Sequence, residues 1–226
     1  MGDQVILYQR TINGFPLVIS QSMVVQWVIL ILFAILSIFL TQNLKRIPGK
    51  KQSALELIVV TIKNIVSDTM GKDNISMSSY IGALGVFLLL MNLTGLLGIS
   101  PPTTDYNIAL GMALTTFIMV QGFAIKKIGL GHYFIGLGKP MAFMVPMNLL
   151  ERVILPLSLS LRLFGNITAA AIIMEMIYKG LGGLTFFATI GVPIPFHFYF
   201  DIFDGGVQMV VFTMLTMVNI KVIAEH

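Results

Sequence analysis

The sequence contains no cysteine, and this absence removes several kinds of chemistry at once. It excludes disulfide bonds, thiolate metal sites and a cysteine nucleophile. Charge is also scarce, because Asp, Glu, Lys and Arg make up only 11% of the chain, against roughly 25% in soluble domains. The net charge is +4 and lies mostly in short loops, so nucleic-acid binding is not indicated. No phosphate-binding glycine loop is present to hold a nucleotide, and nothing in the sequence predicts a cofactor.

Hydrophobic residues, by contrast, make up 56% of the 226 residues, and the mean hydropathy is +0.90. A soluble fold of this length cannot hide so much apolar surface. We therefore predict an all-α integral membrane protein with lipid as its natural solvent.

Four apolar regions are long enough to enter a bilayer, which takes about 20 residues per helix. Glycines near Gly180 and the later Pro193 divide the fourth region into two long helices that form a hairpin. The sequence thus predicts about five membrane helices in a single membrane domain over residues 1–226. The predicted spans are residues 23–40, 80–99 and 108–125, and the hairpin comprises 141–179 and 193–224.

The segment between the first two spans has the pattern of an amphipathic helix. Its apolar residues Leu55, Ile58, Ile62 and Ile65 recur at helical spacing, so residues 52–70 are predicted to lie on the cytoplasmic membrane surface with a packing role and no chemistry.

Loop charges predict the orientation. Basic residues follow the first span at Lys45 and Arg46 and the third at Lys126 and Lys127, whereas residues 100–107 carry no basic residue. Because cytoplasmic loops are enriched in Lys and Arg, the N-terminus, residues 1–22, is predicted outside and the C-terminus inside. The first apolar run lacks a basic leader and a cleavage site, so it is expected to be a retained span.

Arg162 stands out because it lies in an apolar helix, with about ten mostly apolar residues, or roughly 15 Å, on either side. A charge at that depth costs roughly 2.5–3.5 kcal/mol, so it survives where it faces protein or a water-filled cavity. Ser158 and Asn166 lie four residues before and after it, on the same helical face. The alternative is a structural arginine, paired with Asp or Glu to fix helix packing.

The last helix carries a second polar group, His197, Asp201, Asp204 and Gln208, at spacings of four, three and four. One helical face repeats with this period, so these residues are predicted to line a wetted groove for a proton or small cation. The alternative is that residues 193–204 form a loop at the membrane edge with ordinary solvated charges.

Two further acids are candidates for an ion path. Glu175 lies thirteen residues after Arg162, about 20 Å along the helix and off the arginine face; an interfacial position near Lys179 is the alternative. Glu151 lies near the start of the same helix, where a capping or ion-pair role is as plausible.

Glycines predict where these helices approach. Gly165 beside the arginine and Gly205 and Gly206 on the last helix favour close contact, which would place Arg162 opposite Gln208.

Residues 156–166, Pro-Leu-Ser-Leu-Ser-Leu-Arg-Leu-Phe-Gly-Asn, are very similar to the signature of the F-type ATP synthase a subunit. Weaker matches follow the family's order at residues 91–93, 102–107 and 208–216. The resemblance implies a tilted C-terminal hairpin packed against a c-ring, with two half-channels and Arg162 as the essential residue between them. It implies coupling of H⁺ or Na⁺ flow to rotation and ATP synthesis.

The implied partners are the c-ring, the b subunits of the peripheral stalk, the F1 sector indirectly and the lipid bilayer. The expected location is a bacterial plasma membrane, with an organelle membrane as the less favoured alternative. By the resemblance, Asn166, Gln208, Asp201 and Glu151 match family positions on the ion path.

One position departs from the family. Nine residues after the arginine many relatives carry Glu or His, whereas this chain has Ala171. Glu175 or Asp204 is the hypothesised replacement. The competing functions are a transporter that acts alone, which predicts inverted repeats that the sequence does not show, and a structural subunit that would tolerate loss of Arg162.

Overall fold

The structure is a computed structural model that describes residues 6–12, 15–42, 44–131, 145–181 and 191–225. Most of the described chain is helical. Three short 3₁₀-helices occur among the described residues: Lys72–Met77, Leu93–Leu97 and Pro102–Thr104. A π-helical segment, Phe198–Asp204, lies between the last two helices. The elements are β1 Ile6–Ile12, β2 Phe15–Ser20, α1 Gln21–Thr41, α2 Lys50–Met70, α3 Ser78–Asn92, α4 Tyr106–Ile128, α5 Val145–Leu181, α6 Pro193–His197 and α7 Gly205–Glu225.

Five helical stretches of the described chain are long and apolar enough to cross a membrane, as the sequence predicts. They are Gln21–Thr41, Lys72–Leu97, Tyr106–Ile128, Val145–Leu181 and Pro193–Ile223. The all-α membrane fold is therefore confirmed. The predicted start of the hairpin, residues 141–144, lies outside the described residues.

The N-terminal segment differs from the helical expectation, because β1 and β2 form a two-stranded antiparallel hairpin. The chain then turns directly into α1, whose first turn is capped by the Ser20 hydroxyl as it accepts from Met23 N at 3.4 Å. The same hydroxyl donates to Asp105 Oδ2 at 3.3 Å. Short strands of this kind give a weak sequence signal beside a long apolar helix.

The chain divides into two compact units. Unit 1 comprises Met1–Asn43, Phe87–Ile108 and Phe164–Gly206, and unit 2 comprises Leu44–Val86, Ala109–Leu163 and Val207–His226.

The core of unit 2 joins the end of α2 to α4 and α7. Its apolar cluster includes Met70, Val120 and Ile220, each at most 1% exposed. Two polar contacts border it: Tyr80 Oη donates to Thr116 Oγ1 at 3.0 Å, and Lys127 Nζ donates to Asn74 Oδ1 at 2.9 Å. The C-terminal turns of α2 bury Val66 and Met70 while its middle stays exposed. The position of this helix on the cytoplasmic membrane surface stays a prediction.

One stripe of α5 is buried and the opposite face is open. The buried residues recur every three or four positions and are Leu159, Leu163, Ile167, Ala170 and Met174. That period is one face of an α-helix, so residues between these positions face away from the chain's own core.

Candidate functional site

Arg162 lies on the exposed face of α5. Ser158 and Asn166 are exposed on the same face, as their spacing predicts. No residue that the structure describes forms an ion pair or hydrogen bond with the guanidinium of Arg162. The alternative of a structural arginine paired with an acid of its own chain therefore finds no partner in the described part of the protein.

The close approach predicted from glycines is wrong. A Cβ added at Gly165 or at Gly206 would meet nothing within 4 Å, so neither glycine marks a contact between helices. Gly205 instead approaches Asn92, whose Cβ would lie 3.0 Å from an added Cβ. Gln208 is only 2% exposed, whereas Arg162 is exposed, and no hydrogen bond joins them in the described structure.

Unit 1 contains a cavity of about 310 Å³. Its wall comes from the segment after α3, from α5 and from the start of the last helical stretch. The wall is mostly apolar or backbone, and the ionisable groups are gathered on one side. The lining residues are Asn92, Gly95, Gly98, Ile99, Ser100, Pro101, Ile167, Ala170, Ala171, Met174, Tyr178, His197, Phe200 and Asp201.

Three of these side chains form a continuous hydrogen-bonded chain. Tyr178 Oη lies 2.8 Å from His197 Nε2, and His197 Nδ1 lies 2.5 Å from Asp201 Oδ2. When Nδ1 carries the proton it donates to the carboxylate, and Nε2 then accepts from the tyrosine hydroxyl. The chain runs inward, because Tyr178 is 43% exposed and Asp201 only 9%.

Backbone features set the position of Asp201. A Cβ added at Gly95 would lie 2.6 Å from Asp201 Cγ, so only glycine leaves room for this carboxylate. Asp201 belongs to the π-helical segment, where the Gly205 N–H bonds to Phe200 O, five residues back. Such widened turns occur often at functional sites. Residues 193–204 are therefore helical, and the alternative of a membrane-edge loop is wrong.

Asn92 joins the end of α3 to the start of α7. Its Nδ2 donates to Gly205 O at 3.0 Å, and its Oδ1 accepts from Thr103 Oγ1 at 3.3 Å. Asn92 is 1% exposed, and both ends of its amide are satisfied, as buried polar groups require. This amide holds the far end of the π-helical segment against the cavity wall.

The remaining predicted residues lie elsewhere. Glu175 pairs with Lys179 at 2.6 Å, and both side chains are largely exposed. Neither Glu175 nor Asp204 lines the cavity, whereas Ala171 does. The geometry thus gives no support to either acid as the replacement for the family's group at Ala171. Glu151 is exposed in the second turn of α5.

The sequence prediction missed three features of the site. They are Tyr178, Gly95 and the hydrogen bond from the Asn92 side chain to the last helix. Tyr178 lies seven residues after Ala171, two helical turns along one face, so the period alone was a usable signal. Gly95 gave no signal, because its role depends on the approach of a side chain from another element.

Comparisons with known proteins agree on one family. The sequence model described as ATP synthase A chain matches residues 23–221 of this chain. The protein named ATP synthase subunit a, sodium ion specific, from Propionigenium modestum is 32% identical over 226 residues, covering 93% of this chain and 75% of that protein. ATP synthase subunit a of Moorella thermoacetica is 32% identical over 207 residues, covering 91% of each chain. That of Geotalea daltonii is 34% identical over 202 residues, covering 86% of this chain and 83% of its own.

Proposed function

Since this chain belongs to the ATP synthase A chain family, we propose that Arg162 is its essential residue and separates two half-channels that lead to a c-ring. The coarser function follows from the family itself: the chain is a multi-pass, ion-translocating subunit of the membrane sector of an ATP synthase. The proposal concerns which of its residues carry the ion path.

The observation that carries the proposal is the exposed, unpaired guanidinium of Arg162 among the described residues. A permanent charge within an apolar helix is expensive against lipid, so this face of α5 needs a polar or charged partner from outside the chain. A carboxylate on each c subunit supplies one. At about 4 Å and an effective dielectric of 20, the attraction is about 4 kcal/mol before desolvation, enough to favour the ionised carboxylate and release of its ion.

Ser158 and Asn166 extend the polar face on either side of the arginine. We assign them to the surface that the ring passes. Their hydroxyl and amide offer hydrogen bonds to a carboxylate that approaches or leaves Arg162.

The cavity of unit 1 is our candidate for the outer half-channel. Its wall includes Ser100 and Pro101, which belong to or adjoin the loop predicted to be external because it lacks basic residues. Tyr178, His197 and Asp201 are ionisable side chains in its described lining. Glu151 and Gln208 remain predicted members of the ion path, and Glu175 and Asp204 have no place in this cavity.

The proposed role of Arg162 also predicts how the chain assembles with its partners. The exposed face of α5 contacts the c-ring, and we expect b subunits of the peripheral stalk to hold the chain as a stator, with the F1 sector contacted indirectly. The chain resides in a bacterial plasma membrane with its N-terminus outside and its C-terminus in the cytoplasm.

Substitution of Arg162 tests the proposal. Arg162→Gln removes the charge and keeps a polar side chain, so ATP-driven ion pumping by the whole complex in inverted membrane vesicles falls about 100-fold or more, as when a preorganised electrostatic group is removed. Lys179→Gln is the matched control, because it removes a cation from the same helix that pairs with Glu175 at the surface. Near-normal pumping by Arg162→Gln, with the chain present in the purified complex, contradicts the proposal and favours a purely structural subunit.

A further inference from the structure

We propose that residues 44–51, the basic segment, form an ordered binding site for the headgroups of anionic phospholipids. The basic segment lies between the end of α1 and the first turn of α2. None of its residues lines the cavity of unit 1, so this site is separate from the proposed ion path. Its cations predict the orientation of the chain, and here they also bind a ligand.

Positive charge is concentrated in the basic segment. Four of its eight residues are cations, and none is acidic. The cations are Lys45, Arg46, Lys50 and Lys51, and all four residues are exposed. None of them forms an ion pair with a residue that the structure describes. The described chain therefore leaves these four charges to a negative partner from outside.

The stability of α2 does not account for Lys50 and Lys51. Both lie in the first turn of the helix, which has no acidic residue, and Gly49 before them supplies no side-chain cap. The helix dipole disfavours a cation at a helix N-terminus. An anion bound to these two lysines offsets that penalty, so their charge is better explained by binding than by folding.

The side chain of Gln52 fixes the backbone of the basic segment. Its Oε1 accepts from Lys45 N at 3.0 Å, and its Nε2 donates to Lys45 O at 2.9 Å. The same Nε2 donates to Glu56 Oε1 at 2.8 Å, one turn further along α2. Both polar groups of one backbone residue are thus held against α2. Because the cations are held in place in advance, less conformational freedom is lost when a ligand binds.

Exposed apolar side chains identify the negative partner as lipid. Ile47, in the middle of the basic segment, is 86% exposed, and Leu44 is 60% exposed. The membrane span α1 ends at Thr41, four residues before Lys45, which is at most about 14 Å of extended chain. At the end of a span, apolar side chains enter the acyl region while cations meet the phosphate groups. An acidic protein surface would match the cations but not Ile47.

The test measures lipid contact with a tryptophan placed in the basic segment. The chain has one tryptophan, so Trp27→Phe removes the native signal and Ile47→Trp supplies a reporter between the cations. The full chain with both changes is reconstituted in phosphatidylcholine liposomes that contain increasing fractions of phosphatidylglycerol. Bromine atoms on the acyl chains of either lipid quench tryptophan on contact, which gives the relative affinity of the two lipids at this position. We expect a preference for phosphatidylglycerol of at least about fivefold, the factor for one cation near an anionic surface.

Charge removal at two places tests whether the basic segment itself carries this preference. Lys45→Gln with Arg46→Gln removes half of its charge and is expected to lower the preference to below about twofold. Lys63→Gln with Lys72→Gln is the matched control, because it removes two exposed cations of the same unit outside the basic segment, and it keeps the fivefold preference. Equal losses in the two double variants would assign the effect to net charge and overturn the site.

Gln52→Leu separates an ordered site from diffuse attraction, because it keeps all four charges and releases the backbone of Lys45. We expect the preference to fall about threefold, with helix content by circular dichroism unchanged. Ser53→Ala is the control, since Ser53 is exposed and its hydroxyl bonds to none of the described residues. An unaltered preference in Gln52→Leu would contradict an ordered site. If the reporter chain shows no preference at all, the proposal fails, and an acidic segment of a partner subunit becomes the counter-charge.

Discussion

The carboxylate of Asp201 shows how strongly single neighbours set a residue's role. One oxygen faces the imidazole of His197, and the group is packed against the backbone at Gly95. The spacing of His197 and Asp201 on one helix was visible in the sequence, but the space for the carboxylate comes from a different element. Asp204, three residues later, lacks both neighbours and does not line the cavity.

Gly95→Ala tests that steric requirement. Its Cβ would lie 2.6 Å from Asp201 Cγ, so the carboxylate must move and its bond to His197 is lost. We expect ATP-driven pumping to fall about fivefold, the factor that corresponds to one hydrogen bond. Gly111→Ala, on α4 with nothing within 4 Å of its added Cβ, is the matched control. Equal pumping rates for the two variants would show that Asp201 has more room than the structure gives it.

At the scale of an element, the π-helical segment Phe198–Asp204 is the least regular part of the last helical stretch. An ideal α-helix with spacings of four, three and four would put His197, Asp201, Asp204 and Gln208 on one face. A π-turn advances the chain by more residues per turn, so the face rotates and only His197 and Asp201 reach the cavity.

Asn92 is the side chain that secures this segment, and Asn92→Ala tests its contribution. The substitution leaves the buried Gly205 carbonyl and the Thr103 hydroxyl without their partner, which costs about 1–3 kcal/mol of stability. We expect this subunit to dissociate from the detergent-purified complex at a lower temperature. Asn107→Ala removes an amide that is exposed and serves as the control. Identical dissociation temperatures would argue that water or a neighbour replaces the lost amide.

At the scale of the whole molecule, the composition gives an apolar surface on the membrane helices and basic residues at some of their ends. Helix α1 has no buried residue, and most of its apolar side chains are exposed, as expected of a helix whose solvent is lipid. Basic residues lie at Lys45, Arg46 and Lys126–Lys127, at the ends of the first and third spans. Charge asymmetry of this kind predicts an external loop at residues 100–107 and a cytoplasmic one after α1.

Cysteine labelling tests this orientation with no background from the chain, which has no native cysteine. Ser100→Cys, at an exposed position, is expected to react with a membrane-impermeant maleimide added to intact cells. Gly49→Cys, exposed and with nothing within 4 Å of its added Cβ, is expected to react only after the cells are opened. The reverse pattern would invert the topology, and with it the assignment of the cavity to the outer side.

Sequence alone was sufficient for the membrane class and the five spans, because both depend on sums along one segment: hydropathy over about 20 residues selects a membrane helix. The face on which Arg162 lies became clear only from the structure, where Leu159, Leu163 and Ile167 are buried on the opposite side of the helix. Such local rules did not predict the N-terminal strands, and they wrongly predicted a helix contact at Gly165. Both features depend on packing between different elements of the chain.

The tertiary structure decided which side chains meet in the lining of the cavity. Tyr178, His197 and Gly95 come from three separate stretches of chain, and their meeting at Asp201 depends on a widened helical turn and on an amide bond from Asn92. The periodicity of a single helix cannot predict those contacts, because each depends on distances between side chains of different elements. The charge of Arg162 could be read along one helix; the hydrogen-bond partners of Asp201 required the folded chain.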